Sequence, residues 1–115
     1  IQGRVLEYIK DSTDFLGINF YTSHYSKQSA ENDLGFEHII EKDAHVTDMG
    51  WTVDAQGLYD LIVWLRQDYQ TEVPIIITEN GAAYKDTLVQ GKVQDDLRID
   101  YFRRHLKHIM RSCIL

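Results

Sequence analysis

Residues 75–81 read Ile-Ile-Ile-Thr-Glu-Asn-Gly and hold the carboxylate best placed to do chemistry. Three β-branched apolar residues run into Thr78 and then Glu79, the pattern of a short buried strand that delivers a carboxylate to its tip. A charge at the end of a buried strand is costly unless a partner or a reaction uses it. Two arrangements fit this spacing. Either Glu79 is a functional carboxylate at a strand end, or Asn80-Gly81 makes a hairpin turn with Glu79 beside it on the surface. The segment that follows, Ala82-Ala83-Tyr84-Lys85-Asp86, makes a poor partner strand for a hairpin. Other chemically capable residues are less organised. His105 and His108 fall in a helical pattern and His38 and His45 in a loop, with no third ligand to build a zinc site. The serines at 12, 23, 26 and 29 have no nucleophile-elbow pattern, and no Gly-rich phosphate loop occurs.

The surrounding pattern must position Glu79. Val5, Leu6 and Ile9 have helical spacing and predict the tail of a helix over 5–10. Residues 15–21, Phe-Leu-Gly-Ile-Asn-Phe-Tyr, read as a buried strand, with Asn19 and Tyr21 on one face and Ile18 and Phe20 on the other. Residues 23–50 lack periodicity and predict a long ordered loop with a short strand or turn. A helix is predicted over 58–69, with its stripe at Leu58, Leu61, Ile62, Leu65 and Tyr69. Trp64 lies in this helix and reads as a packing residue. Pro74 closes the next turn, and a strand follows over 73–78. Residues 82–94 form a second long loop. Asp95 or Asp96 then caps a last helix with a stripe at Ile99, Phe102, Leu106, Ile109, Met110 and Cys113, a pattern that runs on to Ile114 and Leu115. Strands alternating with helices predict an α/β fold with parallel strands. The loops after strands are long and the helix-to-strand connection is short. That asymmetry puts Glu79, Asn19 and Tyr21 at the functional edge of a (β/α)8 barrel or of a doubly wound sheet.

Composition narrows the partners. A length of 115 residues is in the range of one small domain, and 43% hydrophobic with 26% charged content is ordinary for a soluble globular protein. A net charge of -6 without a Lys/Arg stripe argues against nucleic acid. No apolar run approaches the roughly 20 residues of a membrane span. Cys113 is the only cysteine, which excludes an internal disulfide and suits a reducing, cytoplasmic compartment. The opening Ile1-Gln2-Gly3 does not read as a natural start.

Ile77-Thr78-Glu79-Asn80-Gly81 resembles the nucleophile motif of glycoside hydrolase family 1, the β-glucosidase-type enzymes. Residues 14–22 resemble that family's sixth barrel strand. Asp48-Met49-Gly50-Trp51 with Gly57-Leu58-Tyr59 resembles the approach to its sixth helix, and residues 74–84 its seventh strand and loop. Val93, Asp95, Arg98, Ile99, Tyr101, His105 and Leu106 resemble the start of the next helix. The order and spacing match from Asp11 onward. The resemblance implies part of a TIM barrel, two parallel strands with their helices, belonging to a retaining β-glucosidase. In it Glu79 is the nucleophile, Tyr21 supports it by hydrogen bonding, and Asn19 and Trp51 bind substrate. It implies no metal and no cofactor, and a β-glucoside, related oligosaccharide or aryl glycoside as partner.

Departures from the family are modest. Thr52 stands where Glu is common, Ala55-Gln56 replaces a Pro-containing step, and Phe20 replaces a frequent Tyr. The family's Asn-Glu-Pro acid/base motif, its first- and second-strand sugar ligands and its Trp-rich eighth-strand segment are missing. Residues 1–115 are therefore expected to be a fragment of one barrel domain, incomplete at both ends, inactive alone, and prone to self-association through exposed sheet edges. A non-catalytic carbohydrate-binding or scaffold relative of the same fold is the alternative, and an unrelated small α/β binding domain a third reading.

Overall fold

The computed structural model describes residues 2–113; Ile114 and Leu115, with which the last helical pattern was expected to end, lie outside them, as does Ile1. The elements are α1 (Gln2–Asp11), β1 (Leu16–Asn19), β2 (Tyr25–Gln28), β3 (Phe36–Ile39), α2 (Ala55–Gln67), β4 (Ile75–Glu79), β5 (Leu88–Val89), β6 (Lys92–Val93) and α3 (Asp96–Ser112). β1 and β4 are parallel neighbours, paired Leu16 to Ile75, Gly17 to Ile76 and Ile18 to Ile77. The crossover between them runs through α2. This is the expected β-helix-β unit, and it removes the hairpin reading of Asn80-Gly81.

The core lies on one face of this pair. Ile18, Phe20, Leu58 and Ile62 form its buried centre, with Leu16, Leu61, Leu65, Ile75, Ile77 and Ile109 packed around them. Leu58 is fully buried. Ile18 and Phe20 alternate with exposed Gly17 and Asn19, as the period-2 reading requires. The other sheet face is open, so these strands are half-buried rather than buried as the sequence suggested; Ile76 is exposed there. The Cα radius of gyration is 18.3 Å with extents of 63 × 40 × 23 Å, whereas a compact domain of this length has about 13 Å. The chain is a slab, two strands of a barrel wall with helices on the outside.

Several elements differ from the sequence reading. The long loop 23–50 contains an antiparallel hairpin, β2 with β3, held by pairs such as Lys27 with Glu37, whose ion pair spans 2.8 Å. The loop 82–94 contains a second, β5 with β6, turned by Gln90 and Gly91 with φ of 51° and 77°. Two successive positive φ values make the primed turn that matches strand twist. Tyr69 lies beyond α2 and is exposed, its ring edge-on to Trp64 at 4.7 Å, so it leaves the core stripe and the pair packs on the surface.

α3 turns a different face inward from the one expected. Tyr101 and His105 are its buried residues, and Ile109 joins the core edge. Ile99, Phe102, Leu106, Met110 and Cys113 are exposed. The apolar count misread the helix because its inward positions carry a phenol and an imidazole, Tyr101 and His105, which stack on each other. Asp95 is the N-cap, but its carboxylate is taken by Arg98 rather than by the helix N–H groups. α2 is capped conventionally: Asp54 Oδ1 accepts from Gly57 N at 2.9 Å. A Cβ at Gly57 would require Ser23 Oγ and the capping Asp54 carboxylate to move.

Candidate active site

The site begins where the parallel ladder ends. Pairing slips between Ile18 and Asn19, so that Asn19 faces Glu79 and Thr78 is an extra residue on β4. A one-residue bulge re-aims the side chains beyond it. Thr78 and Glu79 are consecutively exposed, and strict alternation is lost at the point where the carboxylate leaves the strand. Phe20 N donates to Glu79 O at 2.9 Å and extends the join one step further.

Tyr21 donates its phenolic hydrogen to Glu79 Oε2. This hydrogen bond to the carboxylate, followed by burial and the carboxylate's charge, raises the Tyr21 phenol above its ordinary value of 10.0. The phenol thus remains a donor through neutral pH. Trp51 packs against Tyr21, ring centroids 5.6 Å apart and planes inclined by 56°. Asn19 sits beside the pair rather than on it: its Oδ1 accepts from Thr78 Oγ1 at 2.6 Å. Of the four residues singled out from sequence, Glu79, Tyr21 and Trp51 form one contiguous group. Asn19 borders it on the same open face of the sheet.

Two residues behind the site were not anticipated. In the sequence Asn80 reads as a turn former and as part of the motif around Glu79. Its Nδ2 donates to Phe20 O at 2.7 Å and to Tyr101 Oη at 3.0 Å. Tyr101 is 1% exposed and donates in turn to Tyr21 O at 3.3 Å. Burial raises its phenol above the ordinary value, outweighing the Asn80 contact that lowers it. His105 stacks on Tyr101 at 3.9 Å and pairs through Nδ1 with Tyr101 O at 2.8 Å; its Nε2 is buried without a partner among the described residues. Burial lowers the His105 pKa below 6.5. An asparagine directly after the candidate carboxylate, with a tyrosine at a core-facing helix position, was the available signal.

The loops around the site are tied to each other. Thr47 N donates to Trp51 O at 2.9 Å, and Trp51 N to Thr47 Oγ1 at 3.3 Å, a turn that presents the indole. Thr22 Oγ1 donates to Thr52 O at 3.0 Å, fastening that turn to the end of β1. Asp48 bridges to the loop after β4: its N donates to Ala83 O at 3.0 Å, and its Oδ2 accepts from Lys85 N at 2.5 Å. Tyr84 Oη pairs with His45 Nε2 at 3.2 Å. Arg98 holds the same loop from α3, donating to Ala82 O at 3.2 Å, to Tyr84 O, and to Asp86 at 2.7 Å.

Chemically, the group offers one carboxylate held by a phenol beside an aromatic wall, open to solvent on the unpacked sheet face. Its neighbours are hydroxyl, amide and aromatic groups rather than metal ligands. Among the described residues no cluster of three or more His, Cys, Asp or Glu could hold a metal ion. No helix among them is long and apolar enough to cross a membrane. A cavity of about 420 Å³ lies away from Glu79, lined by Ile62, Arg66, Ile75, Ile77, Ile109 and Cys113 on the helix side.

Comparison with known proteins gives a consistent result. The family model of Glycosyl hydrolase family 1 matches residues 1–114. A 6-phospho-beta-galactosidase of Streptococcus equi subsp. zooepidemicus is 37% identical over 120 residues, covering 89% of this chain and 26% of that protein. A 1,4-beta-D-glucan glucohydrolase of Thermotoga neapolitana is 35% identical over 108 residues, covering 93% of this chain and 25% of that protein. The crystal structure of a beta-glucosidase from Exiguobacterium marinum superposes with a TM-score of 0.82 at 44% identity, over 95% of this chain and 24% of that one. The chain spans about a quarter of the length of the curated relatives it matches.

Proposed function

Since the chain belongs to glycosyl hydrolase family 1, we propose that it supplies the nucleophile-bearing part of a retaining β-glycosidase barrel whose remaining strands complete the site. The observation that carries this reading is the Tyr21 hydroxyl on Glu79 Oε2, at the carboxyl ends of two parallel strands. A phenol aimed at one carboxylate oxygen fixes the direction of that group, which a nucleophile needs and a structural carboxylate does not.

Glu79 attacks the anomeric carbon. The bond from that carbon to the leaving oxygen breaks with its electron pair, and the oxygen takes a proton from a second carboxylic acid outside this chain. The product of this half-reaction is a glycosyl ester on Glu79. Water then attacks the same carbon and gives its proton to that second group, now a base, and the Glu79–carbon bond breaks to regenerate the carboxylate. Retaining enzymes hold the two carboxyls about 5–5.5 Å apart. Trp51, against Tyr21, supplies a flat apolar wall for a sugar or aglycone ring, and Asn19 a polar contact at the rim. The relatives include both beta-glucosidases and 6-phospho-beta-galactosidases, which supports a β-glycoside as the substrate class.

In the full-length protein, a mechanism-based fluoroglucoside should leave its sugar on the peptide that contains Glu79. Label on another residue, or an active glucosidase that is never labelled, overturns the reading. The 115-residue chain alone should show no turnover of an aryl β-glucoside, since it lacks the second carboxylic acid. It should also self-associate in light scattering, because β1 and β4 each pair with a neighbour on one side only among the described residues.

A further inference from the structure

We infer that Asn80 and Tyr101 form a positioning link that sets the Tyr21–Glu79 contact from behind, an inference that rests on reading Glu79 as the nucleophile. Each partner of that contact leaves the sheet at the end of its strand, where ladder bonds no longer fix its backbone on both sides. Glu79 is the last residue of β4, and Tyr21 lies two residues past the end of β1. The link joins the neighbour of one to the backbone of the other. Both Asn80 Nδ2 hydrogens are used, one on Phe20 O at 2.7 Å and one on Tyr101 Oη at 3.0 Å. Tyr101 Oη accepts that bond and donates its own hydrogen to Tyr21 O at 3.3 Å.

The anchor of the link is a helix, not a strand. Tyr101 lies on α3 and is 1% exposed; its ring is clamped by fully buried His105, centroids 3.9 Å apart and planes within 23°. The hydroxyl is therefore fixed relative to the helix layer. Through Asn80 and the Tyr21 carbonyl it fixes where the two strand ends lie relative to each other. Loss of the hydroxyl leaves a half-buried amide hydrogen and a strand-end carbonyl with one partner fewer, and the strand ends gain freedom to shift. Small displacements of a reacting group, even from changes behind it, cost rate rather than binding. Neither residue touches the Glu79 carboxylate, so both are positioning residues.

The test uses the full-length protein and the inactivation kinetics of the fluoroglucoside. Tyr101→Phe keeps the ring on His105 and removes only the hydroxyl. The expected result is an inactivation rate constant lower by about ten-fold, with the inhibitor's dissociation constant within about two-fold of the unaltered protein's. In a Tyr21→Phe background the same substitution should change that rate constant by less than about two-fold, because the contact it sets is already gone. Asn80→Ala probes the link from its other end and should give the same dependence on Tyr21. If Tyr101→Phe and Asn80→Ala lower only the melting temperature, or cost the same factor with and without the Tyr21 hydroxyl, the link is structural and the inference fails. If the unaltered protein is not labelled at Glu79, the reading beneath it fails as well.

Discussion

The strand ends and the outer face of α3 are built on opposite principles. At the ends of β1 and β4, the backbone and side-chain groups around Glu79 are tied to one another: Tyr21 to Glu79, Asn80 to Phe20 and Tyr101, Tyr101 to Tyr21. Along the outside of α3, Ile99, Phe102, Leu106 and Met110 are between 41% and 70% exposed. The first region is cross-linked by its own hydrogen bonds. The second is an apolar surface with no partner among the described residues. The difference teaches where each kind of information resides. Site geometry here is carried by polar contacts between the ends of β1 and β4 and the inward face of α3, whereas the outer face of that helix calls for contacts beyond the described residues.

Substitutions and one titration break or sharpen that contrast. The largest effect belongs to the carboxylate: in the full-length protein, Glu79→Gln should lower kcat by on the order of 10,000-fold or more, because the amide cannot form the glycosyl ester. Steady-state hydrolysis of an aryl β-glucoside measures it. Tyr21→Phe should follow at roughly 100-fold in kcat, the usual scale for removing one donor aimed at a reacting oxygen, while the melting temperature changes little.

Packing separates the two regions next. Leu58 is fully buried in the core with Ile18, Phe20 and Ile62, so Leu58→Ala should cost about 2–5 kcal/mol in denaturant unfolding. Leu106→Ala, on the open face of α3 in the 115-residue chain, should stay within about 0.5 kcal/mol. Equal costs at the two positions would mean that the face is covered in that chain.

The smallest effect is one of pH. His105 is buried neutral, its pKa lowered by burial from 6.5, with Arg104 and His108 reinforcing that direction and Asp54 and the Tyr101 carbonyl opposing it. The unfolded chain binds a proton near the ordinary value and the folded chain does not. Stability from this group is therefore complete above about pH 6.5 and declines as the pH falls toward the lowered folded value. Thermal melts between pH 7.5 and 5.5 should show that decline, and His105→Phe should flatten it.

The sequence reading was accurate where periodicity and burial agree. Ile18 and Phe20 pointed inward as the alternation required, and α2 formed around Leu58 and Ile62. It failed where polar residues do the packing. Tyr101 and His105 hold the inward face of α3, Tyr101 bonding Asn80 and the Tyr21 carbonyl and His105 stacking on its ring, so a search for aliphatic stripes selected the wrong side. The two hairpins were missed because strands of four and two residues carry too little alternation to read. Glu79, Tyr21 and Trp51 were legible as a group only through the motif resemblance, since their proximity depends on a crossover rather than on spacing. Asn80 hid in the same motif because Asn-Gly is also a common turn.

The central claim is that Glu79 is the group that attacks the anomeric carbon, and chemical rescue tests it most directly. In the full-length protein, Glu79→Ala removes the carboxylate and leaves space on the α face of the sugar. Added azide should enter that space, displace the leaving group with a single inversion, and restore turnover of an activated aryl β-glucoside with α-glycosyl azide as the product. A β-glycosyl azide, or undiminished hydrolysis without azide, would contradict the assignment.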